Sequence, residues 1–217
     1  MFIIAGIRIF ISVSQGIMEL YYMNLVDRVK NILVTPKTEW DVIEREPATP
    51  QSLLTSYVLP LAVVSAIGPL VTGFLFAGSV GLTFFLITAI IAFISVIVGY
   101  YISIYIIDLL APSFDSEKDL NQSAKLVAYS ATPSYVAGLL SFIPVIGSLL
   151  KFAAWVYSIY IMYLGLGPLK KTPEDKKVIF LLVAFLVMIG VTLIIVAVLG
   201  GLLFASFGFG ASRMMGM

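Results

Sequence analysis

Apolar residues recur along this chain in runs of about twenty or more, and polar residues are confined to short stretches between them. An α-helix rises about 1.5 Å per residue, so a run of that length crosses the roughly 30 Å hydrocarbon core of a bilayer. The pattern predicts five transmembrane helices, at about 52–77, 82–110, 124–143, 148–166 and 178–207. The first contains Pro60, Gly68 and Pro69, which should kink or break it. The second ends in YYISIYIIDLLAP and is long enough to tilt. The third holds Tyr129, Ser130, Thr132, Pro133 and Tyr135, so it should face protein and not lipid. Thr172-Pro173-Glu174-Asp175 reads as the cap of the last helix, with acids in its first turn.

Ahead of the first span the pattern changes. Residues 1–23 form an apolar run broken by Arg8 and by Ser12 to Gln15, and this fits either an interfacial helix or an extension ahead of a start at Met23. Residues 24–51 are polar and charged, with Leu25, Val26, Val29, Ile32 and Leu33 on one helical face. They predict a short helix at the membrane surface. Thr35-Pro36 then supplies a cap and a first-turn proline for a second short helix carrying Trp40 and Ile43. The expected fold class is all-α, a polytopic membrane helix bundle preceded by short amphipathic interfacial helices. Its organisation is a 1–23 extension, a 24–51 cytoplasmic segment, a 52–207 membrane domain and a short extracytoplasmic tail at 208–217.

Composition agrees with this pattern: 60% of the 217 residues are hydrophobic and 12% charged, and the mean hydropathy is +1.07. A soluble domain carries about a quarter charged residues. The chain has no Cys and no His, which removes thiol nucleophiles, imidazole relays, zinc sites built on those ligands and Ser-His-Asp triads. No metal or other cofactor is expected, and the net charge of +1, spread over the loops, gives no reason to expect nucleic acid. Arg28, Lys30, Lys37, Arg45, Lys118, Lys125, Lys170, Lys171, Lys176 and Lys177 fall on one side of the expected spans; only Lys151 and Arg213 fall on the other. The positive-inside rule then puts the N-terminus in the cytoplasm and the C-terminus outside.

Few residues are candidates for chemistry. Asp108 is the one acid within an expected span, and an intramembrane carboxylate is a functional candidate by default. The preferred alternative is an interfacial Asp108 that meets water or a cytoplasmic lysine and orients its helix. Trp40 is a candidate interfacial anchor or partner contact, and Lys170, Lys171, Lys176 and Lys177 are candidates for contact with anionic headgroups or a partner. Tyr129 and Tyr135, with Tyr100, Tyr101, Tyr105, Trp155, Tyr157, Tyr160 and Tyr163, fit either packing and interface belts or the wall of a polar cavity. No serine has an evident base beside it, which leaves an intramembrane enzyme without a nameable catalytic residue.

In order and spacing, VKNILVTPKTEWDVIERE, SYVLPL, IIDLLAPSF, AKLVAYSATPSYVAGLLSFIPVIG and GLGPLKKTP resemble the Yip1 domain family over about 24–203, and most closely its short prokaryotic members. Eukaryotic members are five-span proteins of Golgi and endoplasmic reticulum membranes with cytoplasmic N-termini, implicated in vesicle traffic and in binding Rab-type GTPases. The resemblance implies the same topology here, in a prokaryotic cytoplasmic membrane. The family's long hydrophilic N-terminal region is short in this chain, so GTPase binding is not carried over. Its aspartate-leucine-tyrosine-glycine-proline-like motif stands here as Asp108-Leu109-Leu110-Ala111-Pro112; Asp108, Leu109 and Pro112 match, whereas Leu110 and Ala111 depart and leave no tyrosine hydroxyl at that point. The expected function is non-enzymatic: membrane organisation, or recruitment of partners at the cytoplasmic face. Expected partners are the bilayer with its anionic lipids, a membrane or cytoplasmic protein, and a second copy of the chain. The alternative is a channel or transporter for an ion, lipid or small solute, motivated by the kinked first span, the polar third span and Asp108.

Overall fold

A computed structural model describes residues 25–76, 81–143, 145–191 and 193–194, and the regular elements among these residues are helical. In chain order they are α1 (25–34) and α2 (Pro36–Arg45), then α3, built from Pro50–Leu53, a π-helical turn Leu54–Val58 and Leu59–Phe76. There follow α4 (Gly81–Leu110) with a 3₁₀ turn Ala111–Phe114, α5 (Leu120–Ser130), α6 (Thr132–Leu139), α7 (Ile146–Lys170) and α8 (174–191).

Among the described residues, three helical stretches are long and apolar enough to cross a membrane: Pro50–Phe74, Phe93–Phe114 and Ile146–Lys170. They coincide with the first, second and fourth expected spans. Expectation and structure part at the third. The 124–143 segment is two helices, α5 and α6, meeting at Ala131, and neither is long enough to span. Pro133 has no N–H to continue α5, and the Thr132 hydroxyl donates to the Tyr129 carbonyl at 2.6 Å, taking up an acceptor the helix would otherwise use. The prediction that this segment faces protein holds in α5, where every residue from Ser123 to Ser130 is buried. α8 starts after Pro173, as the cap predicts, and the rest of the fifth expected span lies outside the described residues. So do 1–23, Arg213 and the 208–217 tail.

The departure in α3 also differs from expectation. The helix continues through Pro69, and the irregular turn lies ahead of Pro60 at Leu54–Val58, where the Leu59 N–H bonds back to the Leu54 carbonyl, five residues earlier. Proline at 60 cannot donate to the Ser56 carbonyl, and a widened turn accommodates that loss. Thr49 and Ser52 cap the start of α3 reciprocally. Asp119 caps α5 by accepting from the Asn121 and Gln122 N–H groups. Thr35 does not cap α2; its hydroxyl donates back to the Asn31 carbonyl of α1.

Apolar side chains on the outside of α3, α4, α7 and α8, among them Phe74, Val98, Leu109, Phe152, Leu182 and Leu186, are exposed. A soluble protein does not present such continuous apolar helix surfaces to water, and hydrocarbon is their complementary solvent. Inside, α3 and α6 cross at a stripe of small residues. A methyl group on Gly68 would lie 2.2 Å from the Gly138 carbonyl oxygen and 2.6 Å from Ser141 Oγ, so the two backbones touch where glycine permits it.

Candidate functional site at the charged end of the bundle

The C-terminal ends of α4 and α7, the start of α5, and α2 converge at one end of the bundle, and most of the charged residues meet there. α7 does not stop near 166, as the sequence pattern predicts, but runs to Lys170. It ends because Lys171 turns left-handed (φ 53°) and the Lys171 and Thr172 N–H groups bond back to the Gly167 and Leu166 carbonyls. The extra turn moves Lys170 from a loop into the protein, where its side chain is fully buried.

There Lys170 Nζ donates to Asp108 Oδ1 at 3.2 Å, to Ser123 Oγ at 2.8 Å and to the Asp119 carbonyl at 3.1 Å, which uses all three ammonium protons. Ser123 Oγ also lies 3.1 Å from Asp108 Oδ1. The carboxylate of α4, the ammonium of α7 and the hydroxyl of α5 therefore form one buried polar centre tying three helix ends together. The Lys170 carbonyl adds a tie, accepting the Glu117 N–H at 2.7 Å. Asp108 thus holds its helix against a lysine through Oδ1, which takes both contacts. Pro112 sits in the 3₁₀ turn that closes α4 and accepts the Asp115 N–H at 3.4 Å.

The remaining expected contact residues divide. Lys171 pairs with Glu44 and Lys176 with Asp115, both at the surface. Lys177 pairs with Glu174 but is itself 6% exposed, its ammonium 5.5 Å from the Tyr163 ring centroid. Trp40 is fully buried: its indole N–H donates to the Ile161 carbonyl at 3.1 Å, and its ring occupies the space over Gly165, where a methyl group would come within 2.8 Å of it. Trp40 and Lys170, predicted as contacts for lipid or a partner, have their surfaces taken up by packing within the chain. Trp40 is the pin that docks α2 onto α7, and the Tyr157 hydroxyl extends the seam by donating to the Leu33 carbonyl of α1 at 2.7 Å.

Beside that seam lies a hollow of about 300 Å3 lined by Leu25, Arg28, Glu46, Pro47, Ser56, Tyr57 and Tyr129. Arg28 bridges Glu39 and Glu46 with its two terminal nitrogens and lies 5.6 Å from the Tyr129 ring centroid. Burial alone would lower the Arg28 pKa, but the hydrogen bond and charge of Glu46, with Glu39 adding to them, outweigh it and hold the guanidinium above the usual arginine value. The Tyr57 hydroxyl lies 2.8 Å from Thr132 Oγ1, and the Tyr57 and Tyr129 rings meet edge to face at 4.6 Å. Others of the tyrosine set meet in pairs, Tyr100 with Tyr101 at 5.4 Å and Tyr157 with Tyr160 at 5.9 Å between ring centroids. Tyr135 packs against the core, while Tyr105, Tyr160 and Trp155 face outward.

Sequence reasoning missed Arg28, Glu39, Glu46, Ser123 and Gly165. Arg28 and its two carboxylates lie 11 and 18 residues apart, and Lys170 lies 62 from Asp108, so no local spacing announces either cluster. Gly165 stands in LGLGP, where it carries no nucleotide-loop signal; its requirement comes from the indole packed above it.

No curated protein and no solved structure matches the chain. The Yip1 domain matches residues 30–198, a stretch that runs from α1 past the described part of α8 and contains Asp108, Lys170, Trp40 and most of the lining of the hollow. With that match across most of its length and with helices apolar enough to span a bilayer, the chain is a membrane protein and belongs to the Yip1 domain family.

Proposed function

We propose that this protein is a non-enzymatic organiser of its membrane that recruits a protein partner through the charged end of the bundle, with that end in the cytoplasm of a prokaryotic cell. The observation that carries the reading is the pinning of α2 onto α7 by Trp40, with α1 tied to the same helix by the Tyr157 hydroxyl. It supports a preformed polar platform on a membrane bundle, with a partner-ready outer face that needs no folding on contact. That outer face presents Val26, Val34 and Val42, all exposed, beside the charges of Lys37 and Asp41. Isolated valines amid charges suit a partner that buries a small apolar centre within a polar rim. The orientation rests on the excess of Lys and Arg in the segments on this side of the spans.

Photo-crosslinking from Val34 and Val42 in native membranes, followed by mass spectrometry, tests the reading. A reproducible protein adduct at both positions is the expected result. Adducts to lipid alone at both positions would overturn recruitment.

A channel or transporter is the second reading, and the π-helical turn Leu54–Val58 beside a polar hollow is the observation that favours it. Proteoliposome flux that depends on the protein and falls in Glu46→Gln, a residue of that hollow, would establish it. No flux in either protein would remove it.

A further inference from the structure

Beyond recruitment, the hollow between α1, the segment after α2, α3 and α5 has the makings of a ligand site. We propose that it binds an organic ammonium group, the chemistry shared by the headgroups of ethanolamine and choline lipids and by free amines.

Charge argues first. Arg28 stands against two carboxylates, so the three side chains Arg28, Glu39 and Glu46 carry one net negative charge between them, with the Lys125 ammonium, held by the Glu44 carbonyl at 3.0 Å, the next cation near Glu46. Both terminal nitrogens of Arg28 are engaged, which leaves it poorly placed to hold an anion. Glu46 lines the hollow with 39% of its side chain exposed, whereas Glu39 is closed off at 10%. The surplus negative charge is therefore presented at the open side.

The walls argue next. Tyr57 and Tyr129 line the hollow; Arg28 already lies over the Tyr129 ring, so an alkylated ammonium would draw on the Tyr57 side of the wall and on the Glu46 carboxylate. A volume of about 300 Å3 admits an ammonioethyl or trimethylammonioethyl group and is at the small end of ligand sites. Depth completes the case. Ser56 and Tyr57 lie on the π-helical turn six and seven residues past Pro50, about 10 Å along α3 from its start, so the hollow sits towards the end of a spanning stretch and not at its middle.

The test uses the whole protein in nanodiscs of equal ethanolamine and glycerol phospholipids with matched chains, and native mass spectrometry counts the lipids it retains. Enrichment of the ethanolamine lipid by about fivefold or more is expected, with a fall to parity in Glu46→Gln and retention in Glu46→Asp. A second arm titrates choline against the emission of Trp40, which lies edge-on to Tyr129 at 6.3 Å, after Trp155→Phe leaves it as the one tryptophan. Lipid enrichment without a saturable choline response assigns the site to a headgroup. A choline response lost in Glu46→Gln, with the lipids at parity, assigns it to a free amine. Parity together with no choline response overturns the proposal, and so does any enrichment or response that survives Glu46→Gln in a variant of unchanged Tm. The wild-type lipid comparison does not depend on a variant folding.

Discussion

Lys170→Met is the most informative single substitution in this molecule. Methionine matches the lysine stem and removes the ammonium, so packing is nearly kept while Asp108 loses its counter-charge. The lysine side chain is fully buried and the Asp108 side chain 8% exposed, so water cannot replace what is lost. Ser123 Oγ remains as a donor to Asp108, but one neutral hydroxyl does not balance a buried carboxylate. Breaking one partner of a buried pair costs about 3–5 kcal/mol, a large part of an ordinary stability of about 5–15 kcal/mol. The reciprocal change, Asp108→Asn, keeps a hydrogen-bonding group against Lys170 and leaves its contacts to Ser123 and to the Asp119 carbonyl, so about 1–3 kcal/mol is expected. The double variant removes both charges, and its destabilisation falls below the sum of the two single ones. Equilibrium unfolding of the four proteins in mixed micelles gives the cycle. A Lys170→Met effect under about 1 kcal/mol, or strict additivity in the double variant, would refute the claim that this pair is a desolvated structural joint.

Three further outcomes follow from the same geometry. Gly165→Ala would place a methyl group 2.6 Å from Leu126 Cδ1 and 2.8 Å from the Trp40 ring, so overpacking of about 1–3 kcal/mol is expected, read as a red shift of Trp40 emission in a Trp155→Phe background. Unchanged emission would show that the indole does not sit over Gly165. Gly68→Ala meets the Gly138 carbonyl at 2.2 Å, a backbone atom that cannot rotate away, and a drop in Tm larger than that of Gly190→Ala, which meets nothing within 4 Å, is the expected result. Lys171→Gln with Lys176→Gln breaks two surface pairs and should shift stability by less than about 1 kcal/mol while weakening binding to anionic liposomes, at about 1 kcal/mol per lysine. Liposome binding unchanged in that variant would leave these lysines without a lipid role.

Much of the membrane character was legible before any coordinates. The run from Leu82 to Leu110 and the aromatic run before Leu166 are apolar over helix lengths that a bilayer demands, and both form helices that long. The Thr172-Pro173 cap marked a boundary because proline lacks an N–H wherever it stands, whereas Pro133, with the same property, falls inside what the pattern reads as one continuous span. Trp40, expected at the interface, lies inside the protein. An indole among charges reads as an interface anchor, and only the nearby Gly165 makes room for it inside.

By itself, then, the sequence determined the solvent and the elements: which stretches leave water, where most helices begin, and which chemistries a chain without Cys and His lacks. Those are local properties, set by transfer free energy and by backbone donors within a few residues. Tertiary structure decided the rest. It extended α7 by a turn to carry Lys170 inside, chose Asp108 as its partner from 62 residues away, and split α5 from α6. It also gathered Arg28, Glu46, Tyr57 and Tyr129 around one hollow. The physical reason is that a charge gains little from a partner in water and a great deal from one where water is excluded. Which residues are so excluded depends on how helices far apart in the chain pack.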